Sequence, residues 1–433
     1  MDRDLICIGE LLTFDTPGFY GALPPSRMDE AIIIKGAYLS IRNGKISAYG
    51  SMSDYQASDG VESVDLSNKT VLPGFVDPHT HLVFAGSREH ELVERIESVR
   101  NISKGERMSG GIKYTVEQTS QATRTDLLKQ ALKRMDQMLA HGTTMAEAKS
   151  GYGLALEHEI KLLEVIQQAN AQHPVDLAAT FLGAHALPGD RHMAEYVAEV
   201  LHMIPEIARR GLAEFCDVFC EEGFFSVADS RRILELAKKQ GMRLKVHADE
   251  LAASGGARLA AELGAVSADH LQYASREDFL LMKESGTIPV LLPGVSFYLG
   301  IPYVDANVLR DLDLPIALAT DLNPGGCYCE SQLFIMLLAV HQMKLLPLEA
   351  LAGITRNAAH AMARGGIAGV IAIHRDADLV VLDAPNHDYL AYHFGVNLVS
   401  QVYKTGELVF DVQKKGAKKS AVKKTKAKEI IAA

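Results

Sequence analysis

The hydrophobic pattern divides the chain into three parts. Short apolar runs occupy both ends, and between them apolar runs of strand length alternate with longer amphipathic stretches. The runs at 71–76, 143–148, 175–182, 215–219, 243–246, 265–268, 288–292 and 316–319 predict eight strands. The stretches at 126–139, 156–171, 193–209, 227–239, 252–263 and 276–283 space their apolar residues as a helix does and predict the intervening helices. Near the N-terminus, apolar residues at 31–34 and 37–41 lead into Arg42-Asn43-Gly44-Lys45 and resume at 46–49. Asn-Gly between two apolar runs is a strong hairpin signal. A run at 377–383, and a second hairpin of 396–403 and 408–412 around Lys404-Thr-Gly-Glu407, predict strands near the other end.

Eight strands alternating with helices predict an α/β fold, a parallel (β/α)8 TIM-type barrel. An open doubly wound sheet is the competing architecture. No Gly-x-Gly-x-x-Gly follows the first strand, so dinucleotide binding has no support. The expected organisation is a small β-sandwich domain built from residues 1–68 and 366–413, the barrel over 69–365, and a tail at 414–433.

Charge sharpens this division. The 433 residues carry a formal −10, yet eight lysines and no acid lie between Lys414 and Lys428. The first 413 residues therefore hold 36 basic and 53 acidic side chains, a formal −17. Such an acidic body would be repelled by a phosphate backbone, which argues against nucleic acid as a partner. The tail reads as a solvated, disordered segment. With 48% hydrophobic and 23% charged residues, the rest is ordinary globular chain, and collagen-like or disordered classes are excluded. No secretory signal and no apolar run of membrane-spanning length is evident. Cys7, Cys216, Cys220, Cys327 and Cys329 are too few, and odd in number, for a disulfide framework, so reduced thiols and a cytoplasmic location are expected. Neither Cys327-Tyr-Cys329 nor Cys216-x3-Cys220 has zinc-knuckle spacing.

The ends of the predicted strands carry the chemistry. The first leads into Asp77-Pro-His79-Thr-His81, the third into Gly183-Ala-His185, the fifth into His247-Ala-Asp249-Glu250, the sixth into Asp269-His270 and the eighth into Thr320-Asp321. In a parallel barrel these ends meet on one face, where active sites lie. His79 and His81 are two apart, so in extended backbone both rings point the same way. His247 and Asp321 complete three nitrogens and one oxygen, a set that suits Zn²⁺ or Fe²⁺ and leaves room for a water.

Val71-Leu-Pro-Gly-Phe-Val-Asp-Pro-His-Thr-His81 resembles the first-strand signature of the amidohydrolase superfamily. Five further motifs resemble one family within it, the imidazolonepropionases. They are Leu82-Val-Phe-Ala-Gly-Ser-Arg-Glu89, Glu147-Ala-Lys-Ser-Gly-Tyr-Gly153, Phe181-Leu-Gly-Ala-His185, His247-Ala-Asp-Glu250 and Thr320-Asp-Leu-Asn-Pro-Gly325. The resemblance covers about residues 30 to 412. It implies hydrolysis of the cyclic amide of a small molecule, 4-imidazolone-5-propanoate, to N-formimidoyl-L-glutamate in histidine degradation. It also implies a homodimer with one Zn²⁺ or Fe²⁺/Fe³⁺ per chain on His79, His81, His247 and Asp321. Glu250 and His270 would lie beside the attacking water. Arg88, Tyr152 and His185 would hold the substrate, with Asn323, Gly325 and Gly326 at its glutamate-like end. The family often has Ser or Thr where Gly326 stands, so a hydroxyl contact is missing there. Many superfamily members bridge two metals through a modified lysine at the end of strand four; here Cys220-Glu221-Glu222 stands in its place.

The residues themselves fit such a reaction. Amide hydrolysis near neutral pH needs a nucleophile, a polarised carbonyl and a proton donor for the leaving nitrogen. A bound Zn²⁺ lowers the pKa of water to about 7 and polarises the carbonyl. Glu250, His270 and Asp321 are the candidate proton carriers. The same ligand set serves heteroaromatic aminohydrolases such as guanine or cytosine deaminases, and the reading from another class is a non-catalytic scaffold. Arg88 and Tyr152 separate the first pair, because a purine or pyrimidine offers no carboxylate.

Overall fold

The central strands are buried on both faces, which a barrel ringed by helices achieves. A computed structural model describes residues 2–100, 111–189 and 191–414. The strands are β1 (Phe75–Asp77), β2 (Thr143–Lys149), β3 (Asp176–Ala184), β4 (Phe215–Cys220), β5 (Arg243–Ala248), β6 (Ser267–His270), β7 (Ile288–Leu291) and β8 (Ala317–Leu318). Each pairs in parallel with the next. The ring closes just past the named strands. Thr80 and Leu322 form a parallel bridge, the His81 N–H donates to the Leu322 carbonyl at 2.9 Å, and the Asp321 N–H donates to the His79 carbonyl at 3.0 Å. The fold is the expected (β/α)8 barrel, and its closing seam runs through three of the four predicted ligands.

Helices Arg124–Ala140, Leu156–Gln172, Met193–Arg209, Val227–Lys239, Gly256–Leu263 and Arg276–Ser285 connect the strands and lay their apolar residues in the shared core. Thr123, Ser226 and Ser275 cap three of them by accepting the N–H three residues on. Both ends of the chain meet in one mixed eight-stranded sheet, where Leu379–Leu382 lies antiparallel to Thr70–Pro73. Asn43 and Gly44 both have positive φ, 51° and 75°, as the Asn-Gly hairpin requires.

Three of the differences from the expected elements bear on the barrel. The run 71–76 is two strands, Thr70–Pro73 in the terminal sheet and Phe75–Asp77 in the barrel. The chain crosses between sheets at Gly74, where a Cβ would collide with the Thr144 side chain. The helix expected from residue 252 starts at Gly256. Asp249 accepts the N–H groups of Gly255 at 2.7 Å and Ala257 at 2.8 Å, so its carboxylate holds the preceding residues as a loop. Gln332–Met343 is a helix with hardly a polar stripe, which hid it from a search for amphipathic spacing. The lysine-rich tail lies, apart from Lys414, outside the described residues. Among those described, no helix is long and apolar enough to cross a membrane.

Candidate active site

His79 and His81 leave β1 on one side of the backbone, while Thr80 between them turns away and donates to the Glu147 carbonyl at 2.6 Å. His247 stands near the end of β5, and Asp321 follows β8. His79 Nε2 and His81 Nε2 each lie 3.4 Å from Asp321 Oδ1, and His247 Nε2 lies 3.4 Å from His81 Nε2. Donors at the corners of a tetrahedron with metal bonds of about 2.0–2.1 Å are about 3.3–3.4 Å apart. His79 Nε2 and Asp321 Oδ1 are buried without a hydrogen-bond partner among the described residues. Buried polar atoms are normally partnered, so these two, 3.4 Å apart, fit atoms kept for a cation. Burial holds His79 and His81 well below the ordinary histidine range, so both rings are neutral, the form that binds metal. The chain therefore presents a metal site of histidine and carboxylate. No cysteine joins these groups among the described residues.

A layer of buried charge underlies the site, and sequence reading did not foresee it. His79 Nδ1 pairs with Asp269 Oδ2 at 2.6 Å, and His247 Nδ1 lies 2.9 Å from Asp217 Oδ2. Such partners orient ligand rings and fix their tautomers. Lys149 Nζ lies 2.7 Å from Asp217 and 2.8 Å from Glu147, and Lys245 Nζ donates to Glu147 at 3.0 Å and to the Pro78 carbonyl at 2.6 Å. Burial works against the charge on Lys149, but Asp217, Glu147 and Asp269 raise its pKa above the usual range. For Asp217 burial is likewise outweighed, by His247 and Lys149, and its pKa is held well below the usual range. The available signal was a charged residue inside strands otherwise apolar on both faces. Lys149→Met leaves three buried carboxylates short of a cation, a type of loss that costs about 3–5 kcal/mol. The thermal unfolding midpoint should fall by several degrees, as circular dichroism would record; an unchanged midpoint would show that the layer is not ionised.

A cavity of about 300 Å³ opens above His81, His247 and Asp321. His185, His270, Tyr152, Arg88 and Glu250 line it, with Phe219, Phe224 and Leu251 as apolar wall. His185 stacks on His81 with ring centroids 4.8 Å apart, and burial, then His247, pushes its pKa down to about 3. His270 Nδ1 is 3.7 Å from Glu250 Oε2. Burial, then the Glu221 charge, pushes Glu250 up to about 8. Burial, then Glu250, holds Asp321 well above the usual carboxylate range. His270 and Asp321 have left-handed φ of 80° and 51°, a cost of strain that tends to gather at functional sites.

Asn323, Gly325 and Gly326 also line the cavity. Asn323 Oδ1 accepts the N–H of Gly325 at 2.8 Å and of Gly326 at 2.6 Å, while its Nδ2 donates to the Asp321 carbonyl at 2.8 Å. The Asn-Pro-Gly segment is turn chemistry that shapes the wall. Glu221, just past strand four, joins none of the candidate metal groups among the described residues. Its oxygens accept the N–H groups of Glu250 and Leu251, both at 2.8 Å, and the Ser254 hydroxyl.

The amidohydrolase family model matches residues 70–409. An imidazolonepropionase of Alkaliphilus metalliredigens is 45% identical over 89% of this chain and 92% of its own length. One from Caldanaerobacter subterraneus is 47% identical over 87% of this chain and 91% of its own. Among solved structures, 5-methylcytosine deaminase from Klebsiella pneumoniae superposes with a TM-score of 0.70 over 94% of this chain and 98% of its own, at 18% identity. At that identity the likeness concerns the fold alone. The chain is thus a C–N hydrolase of the amidohydrolase class. Within that class it belongs to the imidazolonepropionase family.

Proposed function

We propose that the chain hydrolyses the cyclic amide of 4-imidazolone-5-propanoate to N-formimidoyl-L-glutamate. The water oxygen joins the carbonyl carbon, the ring C–N bond breaks, and a proton ends on the leaving nitrogen. The observation that carries the reading is His79, His81 and Asp321 at metal-ligand spacing, with His247 3.4 Å from His81, beside a cavity that also holds Arg88. His79, His81, His247 and Asp321 would hold one zinc or iron ion. When bound, the ion supplies a Lewis acid and an activated water. Both Glu221 oxygens are already engaged by the loop carrying Glu250, which supports a single ion; elemental analysis should find about one per chain. Asp321 would take a proton from the water. Glu250, protonated near neutrality when its pKa is about 8, can deliver one to the ring nitrogen, with His270 beside it.

Arg88 would bind the propanoate carboxylate, with Tyr152 and His185 against the ring. A charge-assisted hydrogen bond contributes roughly 1.5–3 kcal/mol, so Arg88→Ala should lower kcat/KM about 10- to 150-fold. Arg88→Lys keeps the charge without the fork and should fall between. An Arg88→Ala enzyme with unaltered kinetics would remove Arg88 from the substrate site. The overall test mixes purified protein with imidazolone propanoate. Ring absorbance should disappear without ammonia release; ammonia release from guanine or cytosine with an inert imidazolone would replace this reading with a deaminase. The acidic body speaks against nucleic acid as a partner. Five unpaired cysteines are in keeping with a cytoplasmic setting. Light scattering tests the expected homodimer.

A further inference from the structure

Arg88 carries its guanidinium on a long flexible stem, so something else must aim it. Glu91 lies three residues on, in the helix Glu89–Arg100, and is buried. Its Oε1 accepts from Arg88 Nε at 2.9 Å and its Oε2 from Nη2 at 2.7 Å. Oε1 also accepts the Gly111 N–H at 2.9 Å, so the carboxylate is itself held. This bidentate pair uses one edge of the guanidinium and leaves the Nη1–Nη2 edge. Gly325 packs against the guanidinium on its Nη1 side. A Cβ there would lie 2.5 Å from Arg88 Cζ and closer still to Nη1. Gly325 has no left-handed φ, so the backbone does not ask for glycine at this position; the guanidinium does.

We propose that Glu91 is a positioning residue, which locks Arg88 by its Nε–Nη2 edge so that the Nη1–Nη2 edge is left for a carboxylate-bearing substrate, and that Gly325 provides the room in which the guanidinium lies. The proposal rests on the reading of Arg88 as the carboxylate site. An acid near such a site also repels an anion. Glu91 also lines the cavity, but its carboxylate is paired with the Nε–Nη2 edge of Arg88 and with the Gly111 N–H, so the orienting effect prevails.

The experiment uses the full-length, metal-loaded enzyme with two substrates: imidazolone propanoate, and an imidazolone with an ethyl group in place of the propanoate. The quantity read is the ratio of their kcat/KM values. Glu91→Gln keeps the shape but cannot fill both acceptor roles. It should lower the propanoate's advantage about tenfold, the order of part of one charge-assisted hydrogen bond, and chiefly through KM. Gly325→Ala puts a methyl into the space of the guanidinium, displaces Arg88 and should do the same, which keeps the test open if Glu91→Gln folds poorly. Contacting residues that act through one another are not additive, so Glu91→Gln should cost nothing further in an Arg88→Ala background.

An equal loss on both substrates would assign Glu91 to the fold alone. A lower KM for the propanoate in Glu91→Gln would make it a competing counter-ion. A further loss in the Arg88→Ala background would show that it does not act through Arg88. A wild type that treats both substrates alike would overturn the Arg88 reading itself, before any Glu91 variant is made.

Discussion

Replacing any one of His79, His81, His247 and Asp321 with alanine is expected to remove most of the bound metal and lower kcat by roughly a thousandfold or more. The basis is that a bound ion supplies several kcal/mol of transition-state stabilisation, and each 1.36 kcal/mol is tenfold in rate. The four variants should differ in stability. His79 and His247 each touch a buried carboxylate, Asp269 or Asp217, so their loss leaves that carboxylate one partner short. His81 Nδ1 has no such partner among the described residues. The metal-free His81→Ala protein should therefore melt with the metal-free wild type, while His79→Ala and His247→Ala melt lower. Elemental analysis and calorimetry on the same preparations read both effects. Full metal occupancy in Asp321→Ala would take Asp321 out of the ligand set.

The legible part of this site follows from periodicity. A strand alternates its side chains, so His79-x-His81 had to present two rings together. A parallel barrel brings strand ends to one face, so His185, His247, His270 and Asp321 had to approach them. The hidden part depends on register across the barrel. Nothing local to Asp217, Asp269, Lys149 or Lys245 says which will meet. Their contacts arise from pairings such as Lys245 with Ser267 and His247 with Asp269, residues far apart in the chain. Gly74 was illegible for a similar reason. The run around it is uniformly apolar, and only Thr144 pressing against the backbone marks where one sheet ends and the other begins. Asn323-Pro-Gly325 shows how a motif can carry two meanings. The same residues form a turn and line the cavity, and only their hydrogen bonds distinguish wall-building from ligand-holding.

Glu250→Gln is expected to lower kcat by about 10²- to 10⁴-fold, the usual contribution of a positioned proton carrier. The substitution keeps size and shape. The loop should hold its place, because Glu221 grips it through the N–H groups of residues 250 and 251 and not through the Glu250 side chain. None of the four proposed ligand atoms is altered, so the metal content should stay at the wild-type level and KM should change little. Glutamine can still donate a hydrogen bond to the substrate but has no proton to give the leaving nitrogen. The sign of the pH effect follows from the direction of the shift. Burial and the Glu221 charge favour the protonated form. Activity that needs this proton is present below the Glu250 pKa and lost as pH rises through it. Wild-type kcat should therefore show an alkaline limb, and Glu250→Gln should lack it, with low residual turnover that is flat across the same range. If the variant keeps the alkaline limb at full height, another group gives the proton, and His270, 3.7 Å from Glu250, is the next to replace.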